Sequence, residues 1–181
     1  MSTAAKTLIS MEEYNALPET ENGLEYELSE GELIVLASPM LFHNRMKDDI
    51  LVRFHLFLRQ HPGLGEVTSE TDFRLAPNTV RRPDVGYMSA AKVASIDPHQ
   101  RLEFAPDLAI EIASPNDDLP HKIQDYLAAG TQVWALYPDA RIARIHKPGE
   151  RAVVRDADAG DVLEDPELLP GLKVPLAEVF G

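Results

Sequence analysis

Apolar positions along the chain change period several times, and each change marks an element. Ser10-Met11-Glu12-Glu13 has the form of a capping box opening a short helix that stops near Pro18. From Tyr26 to Ala37 the pattern alternates and then runs apolar around Ser29-Glu30-Gly31, which predicts a β-hairpin with glycine at its turn. The clearest helix runs from Leu41 to Gln60. Met46, Ile50, Phe54, Phe57 and Leu58 recur at helical spacing there, and His61-Pro62-Gly63 ends it. Strands are expected over Glu66–Leu75 and Asp84–Met88, separated by the turn Ala76-Pro77-Asn78, followed by a short helix over Ser89–Ala94.

The second half begins with a buried-type strand, Leu108 to Ala113, closed by Ser114-Pro115-Asn116-Asp117. A second helix, about Pro120 to Ala129, ends at Gly130, which suits a left-handed C-cap. Val133–Tyr137 and Arg141–His146 read as a hairpin across Pro138-Asp139-Ala140. The chain finishes with a turn at Leu169-Pro170-Gly171-Leu172 and a short terminal helix. The order β-β-α-β-β-β-α-β-β predicts an α/β fold with a mixed sheet, two main helices and one core, as a single domain spanning 1–181.

Composition narrows the chemistry. The 181 residues contain no cysteine, which removes disulfides, thiolate zinc sites and cysteine nucleophiles and fits a reducing cytoplasm. Met1 to Pro18 lacks an apolar signal segment, and the longest apolar run, Leu33 to Ala37, is far short of a membrane span. A cytoplasmic protein with no membrane partner is expected. The net charge of -13 at first opposes a phosphate-bearing partner. Its distribution changes that reading: residues 1–32 carry -7, residues 150–181 carry -5, and the stretch between carries -1.

One constellation carries chemical information. Asp84 opens one expected strand, and Glu111 lies inside another that is otherwise almost wholly apolar, where a glutamate is costly unless paired or bound to a cation. Two carboxylates brought together from neighbouring strands suit Mg²⁺ or Mn²⁺. Lys122 follows in the next helix, with Tyr126 one turn on along the same face. The competing reading is a buried structural ion pair between Glu111 and Lys122 or an arginine. Asp107 shares strand parity with Glu111, but Pro106-Asp107 reads first as a strand-start turn. The six histidines are scattered with no metal-binding spacing, and no serine sits in a nucleophile elbow.

Across nearly its whole length the sequence resembles the Uma-type restriction-endonuclease family of the PD-(D/E)XK nuclease superfamily. The resemblance rests on Tyr26-Glu27-Leu28 with Gly31-Glu32-Leu33, Ser38-Pro39 followed by His43, and Arg81-Arg82-Pro83-Asp84-Val85. It continues through Pro106-Asp107-Leu108-Ala109-Ile110-Glu111-Ile112-Ala113-Ser114-Pro115, Lys122 with Tyr126-Leu127-Ala128-Ala129-Gly130, Trp134, Pro138 and the tail from Leu169 to Phe180. It implies a restriction-endonuclease-like core in which the lysine has moved from the strand to the following helix; position 113 is accordingly alanine. It further implies Asp84 and Glu111 as metal ligands, with the Ile112 carbonyl, for Mg²⁺ or Mn²⁺. Lys122 becomes the catalytic lysine and Glu27 a carboxylate completing the site at its margin through a metal-bound water. His43 is implied as an accessory contact to phosphate or water, beside Tyr126. The implied activity is metal-dependent endonucleolytic cleavage of DNA, acting as a homodimer; the alternative is a catalytically silent nuclease-fold interaction module. Two departures stand out. The segment Ser114–Lys122 is short for the family, and a helix turns its side chains by about 100° for each residue removed. Tyr137 also replaces an aspartate common before the proline.

Overall fold

The computed structural model describes residues 8–18, 25–97, 99–115 and 117–181. The reading of residues 1–7 as free of a signal segment lies outside them, as does Asn116 of the loop after the buried strand.

Two sheets meet at the functional region. The first helix, α1 (Met11–Ala16), is capped as its sequence requires: Ser10 and Glu13 satisfy each other's backbone amides. Strands β1 (Glu25–Ser29) and β2 (Glu32–Leu36) form the expected hairpin. Its turn places Glu30 and Gly31 at positive φ. With β4 (Phe73–Ala76) and β5 (Thr79–Arg81) they make a four-stranded antiparallel sheet in the order β2-β1-β5-β4. The long helix α2 spans Leu41–Gln60, as its periodicity predicts.

The larger sheet has six strands. They are β3 (Gly65–Ser69), β6 (Val85–Ser89), β7 (Leu108–Ile112), β8 (Gln132–Tyr137), β9 (Ile142–His146) and β10 (Val153–Asp156), in the order β10-β9-β8-β7-β6-β3. Only β7 and β8 run parallel, joined through α4 (Leu119–Ala128); the short helix α3 (Ala90–Val93) follows β6. A two-stranded ribbon, β11 (Val162–Leu163) with β12 (Val174–Pro175), and α5 (Leu176–Phe180) close the chain.

Alternation along β7 and β8 assigns the two faces. Leu108, Ile110, Ile112, Trp134 and Leu136 pack under α2 and the C-terminal segment, with Phe54 edge-on to Trp134. Ala109, Val133 and Ala135 pack under α4 with Leu119, Ile123 and Tyr126. Small residues on that second face let α4 sit close to the sheet.

Three expectations are corrected. Glu66–Leu75 is not one strand. Glu70 adopts φ 50 and turns the chain, so β3 joins the large sheet and β4 the small one. Ala76-Pro77-Asn78 therefore closes the β4–β5 hairpin, and β5, too short to show a period, carries a buried arginine. Asp84 precedes β6 instead of lying within it, a displacement that matters for its chemistry. Among the described residues no helix is long and apolar enough to cross a membrane.

The sheets touch where the Phe73 ring covers Gly86, whose missing Cβ would stand 2.7 Å from Phe73 Cε2. Gly86→Ala is expected to lower stability by about 1–3 kcal/mol through overpacking, read as a lower urea midpoint with unchanged m-value. An unchanged midpoint would mean that the joint between the sheets is soft.

Candidate active site

Glu111 points to the α4 face of β7, between Ala109 and Ala113, and is 2% exposed. Glu27, on β1, is fully buried and faces it from the smaller sheet. One of its oxygens accepts from Arg81 Nη1 at 2.9 Å and the other from the Arg82 amide at 2.9 Å. Arg81 in turn reaches Ser29 and Asp125 of α4, tying sheet to helix.

Asp84 owes its place to an interrupted ladder. The β6–β7 pairing ends at Val85 opposite Ile110, and the next residues back are Asp84 and Pro83, whose carbonyl is taken by the Glu70 amide. The Ile112 amide would otherwise lack a partner, and the Asp84 carboxylate supplies one at 2.7 Å. Its other oxygen meets His43 Nε2 at 2.7 Å.

The cation comes from α4. Its buried stripe is Leu119, Lys122, Ile123 and Tyr126, so a lysine occupies what is otherwise a core position. Lys122 Nζ lies 3.3 Å from Glu27, 3.5 Å from Asp117 and 3.6 Å from Glu111. The Tyr126 hydroxyl donates to the other Glu111 oxygen at 2.8 Å. Burial is the strongest influence on Lys122 and pushes its pKa down. Glu111, Glu27, Asp117 and Asp84 together outweigh it, so the ammonium is held charged. Glu111 is pushed up to about 8: desolvation dominates, Lys122 opposes it, and Asp84, Glu27 and Asp117 add to it. Asp117 is raised for similar reasons.

Asp84, Glu111, Lys122, Glu27 and Tyr126 thus come together, and the short lead-in from Ser114 leaves Lys122 turned toward the carboxylates. Two placements differ from expectation. Glu27 lies at the buried centre, pinned by arginine, not at the margin. His43 is buried behind Asp84 and is not open to a phosphate. Ile112 meets the site through its amide. Asp107 pairs instead with Lys92 and the Ser89 amide, outside the site. Asp117 and Asp125 are not marked by any site motif, and Ser114 and Arg81, which lie within the quoted motifs, have no role assigned by them. Asp117 sits in a loop whose Ser-Pro-Asn-Asp composition reads only as a turn, and a buried arginine in a three-residue strand has no periodicity to betray it.

The donor set can be weighed for a divalent cation. Among the described residues no three histidine, aspartate or glutamate side chains close into a ready-made cage. Mg²⁺ does not need one, since it keeps several waters and takes one or two carboxylates. Asp84 and Glu111 supply hard oxygen donors, each oxygen retaining lone-pair capacity beyond its present partner. Glu27, Asp84, Glu111 and Asp117 surround one lysine, leaving an excess of negative charge. The residues fit such an ion.

The α/β core with a mixed sheet, strand-borne carboxylates and a helix-borne lysine defines a restriction-endonuclease-like nuclease fold. Over residues 11–177 the chain matches the Uma2 family, described as "Putative restriction endonuclease", and it belongs to that family. A crystal structure titled as a putative nuclease belonging to DUF820, from Anabaena variabilis, superposes with a TM-score of 0.82 at 20% identity. The match covers 95% of this chain and 97% of that one, and establishes a shared fold. No curated protein sequence matches the chain.

The raised Glu111 pKa predicts a pH dependence for the metal-free protein. Between its ordinary 4.5 and about 8, the folded state keeps a proton that the unfolded chain has released. Its contribution to stability is complete below 4.5 and falls as pH rises through about 8, by at most about 1.4 kcal/mol per unit. Glu111→Gln should flatten that slope in urea melts from pH 5.5 to 8.5 and equal or exceed wild-type stability at the alkaline end. A loss of ~3–5 kcal/mol at neutral pH would instead identify a structural ion pair with Lys122.

Proposed function

We propose that the chain is a Mg²⁺- or Mn²⁺-dependent endonuclease that hydrolyses DNA phosphodiester bonds. The observation that supports this most is the crowding of Glu27, Asp84, Glu111 and Asp117 around the single ammonium of Lys122. Asp84 and Glu111, with the Ile112 carbonyl, would hold the ion. When bound, Mg²⁺ stabilises charge developing on the phosphoryl group and lowers the pKa of a coordinated water.

The chain's own residues divide the remaining work. Lys122, kept charged by its carboxylate neighbours, cannot serve as a general base; it donates hydrogen bonds that orient the attacking water and the phosphoryl oxygen. Glu27 fixes the lysine and is itself fixed by Arg81 and the Arg82 amide. Tyr126 holds one oxygen of Glu111 and so sets the direction of the other. A homodimer would let two such sites reach both strands, and a cytoplasmic location would suit a cysteine-free chain. The acidic ends predict weak, salt-sensitive binding by the isolated protein.

A silent interaction module is the second reading. It is favoured by the completeness of the ion-pair network, in which both Glu27 oxygens are already engaged, and by the net charge of -13.

Cleavage assays at low salt with Mn²⁺ and high enzyme separate the two. Lys122→Ala should slow cleavage by roughly 10²-fold or more while leaving Mn²⁺ affinity within a few-fold. Ca²⁺ should occupy the site and support cleavage poorly. Equal cleavage by wild type and Lys122→Ala would sink the enzymatic role of the lysine. Wild type that binds no Mn²⁺ would leave the silent module.

A further inference from the structure

His43 is used in a way that the proposed chemistry does not by itself require. It lies in the first turn of α2, on the opposite face of the large sheet from α4, yet reaches the sheet end and meets Asp84. The residue is 7% exposed and its ring spends both nitrogens: Nε2 is 2.7 Å from Asp84 Oδ1, and Nδ1 is 3.2 Å from Ser114 Oγ. A carboxylate can only accept, so Nε2 carries the hydrogen. In the neutral ring the Ser114 hydroxyl then donates to Nδ1, and one tautomer is selected by partners on both sides.

The helix that carries the ring is fastened close by. One turn further on, Lys47 is buried and pairs with Glu70 at 2.5 Å. The Glu70 amide bonds the carbonyl of Pro83, the residue before Asp84. Glu70 holds this position at φ 50, an unfavourable conformation for a glutamate that its contacts must offset. Helix α2 is therefore bound directly to the side chain of Asp84 and, through Glu70, to the backbone of the Pro83–Asp84 bend.

We propose that His43, oriented by Ser114, is a positioning residue that fixes the plane of the Asp84 carboxylate for cation binding. Asp84 alone stands on a bend, where its carboxylate could turn. The Ile112 amide restrains one oxygen and the His43 ring the other, so the lone pairs left over point in a set direction. A cation then meets a ligand that has already lost its rotational freedom, and the cost of ordering it falls on folding instead of on binding. Ser114 follows the Glu111 strand by two residues, so the same relay couples Asp84 to the segment that leads away from the other candidate ligand.

The inference rests on the reading of Asp84 as a cation ligand, and the experiment separates the two. Mn²⁺ affinity is measured by electron paramagnetic resonance on the full chain for wild type, Asp84→Asn, His43→Leu, His43→Gln and Ser114→Ala. Urea midpoints serve as a folding control. His43→Leu should bind Mn²⁺ roughly 10–100-fold more weakly. His43→Gln, whose amide can donate to the same oxygen, should recover most of that loss, and Ser114→Ala should show a smaller loss. Folded His43→Leu with wild-type affinity, while Asp84→Asn abolishes binding, overturns the positioning role alone. Equal losses in His43→Leu and His43→Gln would also overturn it, because a space-filling role does not depend on the donor. Wild type that binds no Mn²⁺, or Asp84→Asn that binds normally, would overturn the cation-ligand reading and the inference together.

Discussion

The constraint on which this structure turns is the burial of more negative than positive charge around Lys122. A lysine and four carboxylates taken from water would be costly unless nearly every polar atom is met. The structure meets the requirement from several elements at once. Arg81 and the Arg82 amide take Glu27, Tyr126 takes one oxygen of Glu111, and Ile112 and His43 take Asp84. What hydrogen bonds cannot remove is the cost of burying a charged carboxylate, which, with the like charge of Asp84, Glu27 and Asp117, outweighs Lys122 and raises the pKa of Glu111. A proton held on Glu111 relieves both penalties.

Much of the fold exists to bring those partners to one place. The two sheets meet where Phe73 covers Gly86, and Arg81 spans the gap from β5 to Asp125 on α4. The parallel pair β7–β8 requires a crossover, and α4 is that crossover. Its lead-in from the end of β7 is short, so the helix begins close to the strand that carries Glu111. The element imposed by topology is thus also the one that delivers Lys122.

Legibility followed periodicity. Helix α2 was readable to its ends because twenty residues hold one spacing and a His-Pro-Gly stop follows, and β7 stood out as an apolar run interrupted by one glutamate. The break at Glu70 was not readable, because positive φ in a glutamate leaves no sequence mark and the alternation continues through it. The three residues of β5 are too few to show any period, so nothing in the pattern marks Arg81 as the main anchor of Glu27. The residue pattern supplied Asp84, Glu111 and Lys122 as candidates, and the family resemblance added Glu27. It could not show that Glu27 is buried at the centre, or that His43 stands behind Asp84, since both depend on how two sheets and a helix meet.

The helix-borne lysine, which the family resemblance implies, has a simple geometric basis. A lysine at position 113 would leave the end of the strand beside Glu111; alanine there leaves room instead, and Ala113 packs with the α4 cluster. Lys122 enters that region from a helix stripe otherwise made of Leu119, Ile123 and Tyr126. Its long aliphatic stem can lie along those apolar neighbours while the ammonium reaches the carboxylates. Because Lys122 and Tyr126 are one turn apart, a rotation of α4 that carried the lysine away would also withdraw the hydroxyl from Glu111. The two contacts therefore fix the rotation of the helix jointly, and the packing of Leu119 and Ile123 reinforces the same setting. Moving the ammonium from strand to helix makes its position depend on helix docking, and the buried stripe is what makes that dependence tolerable.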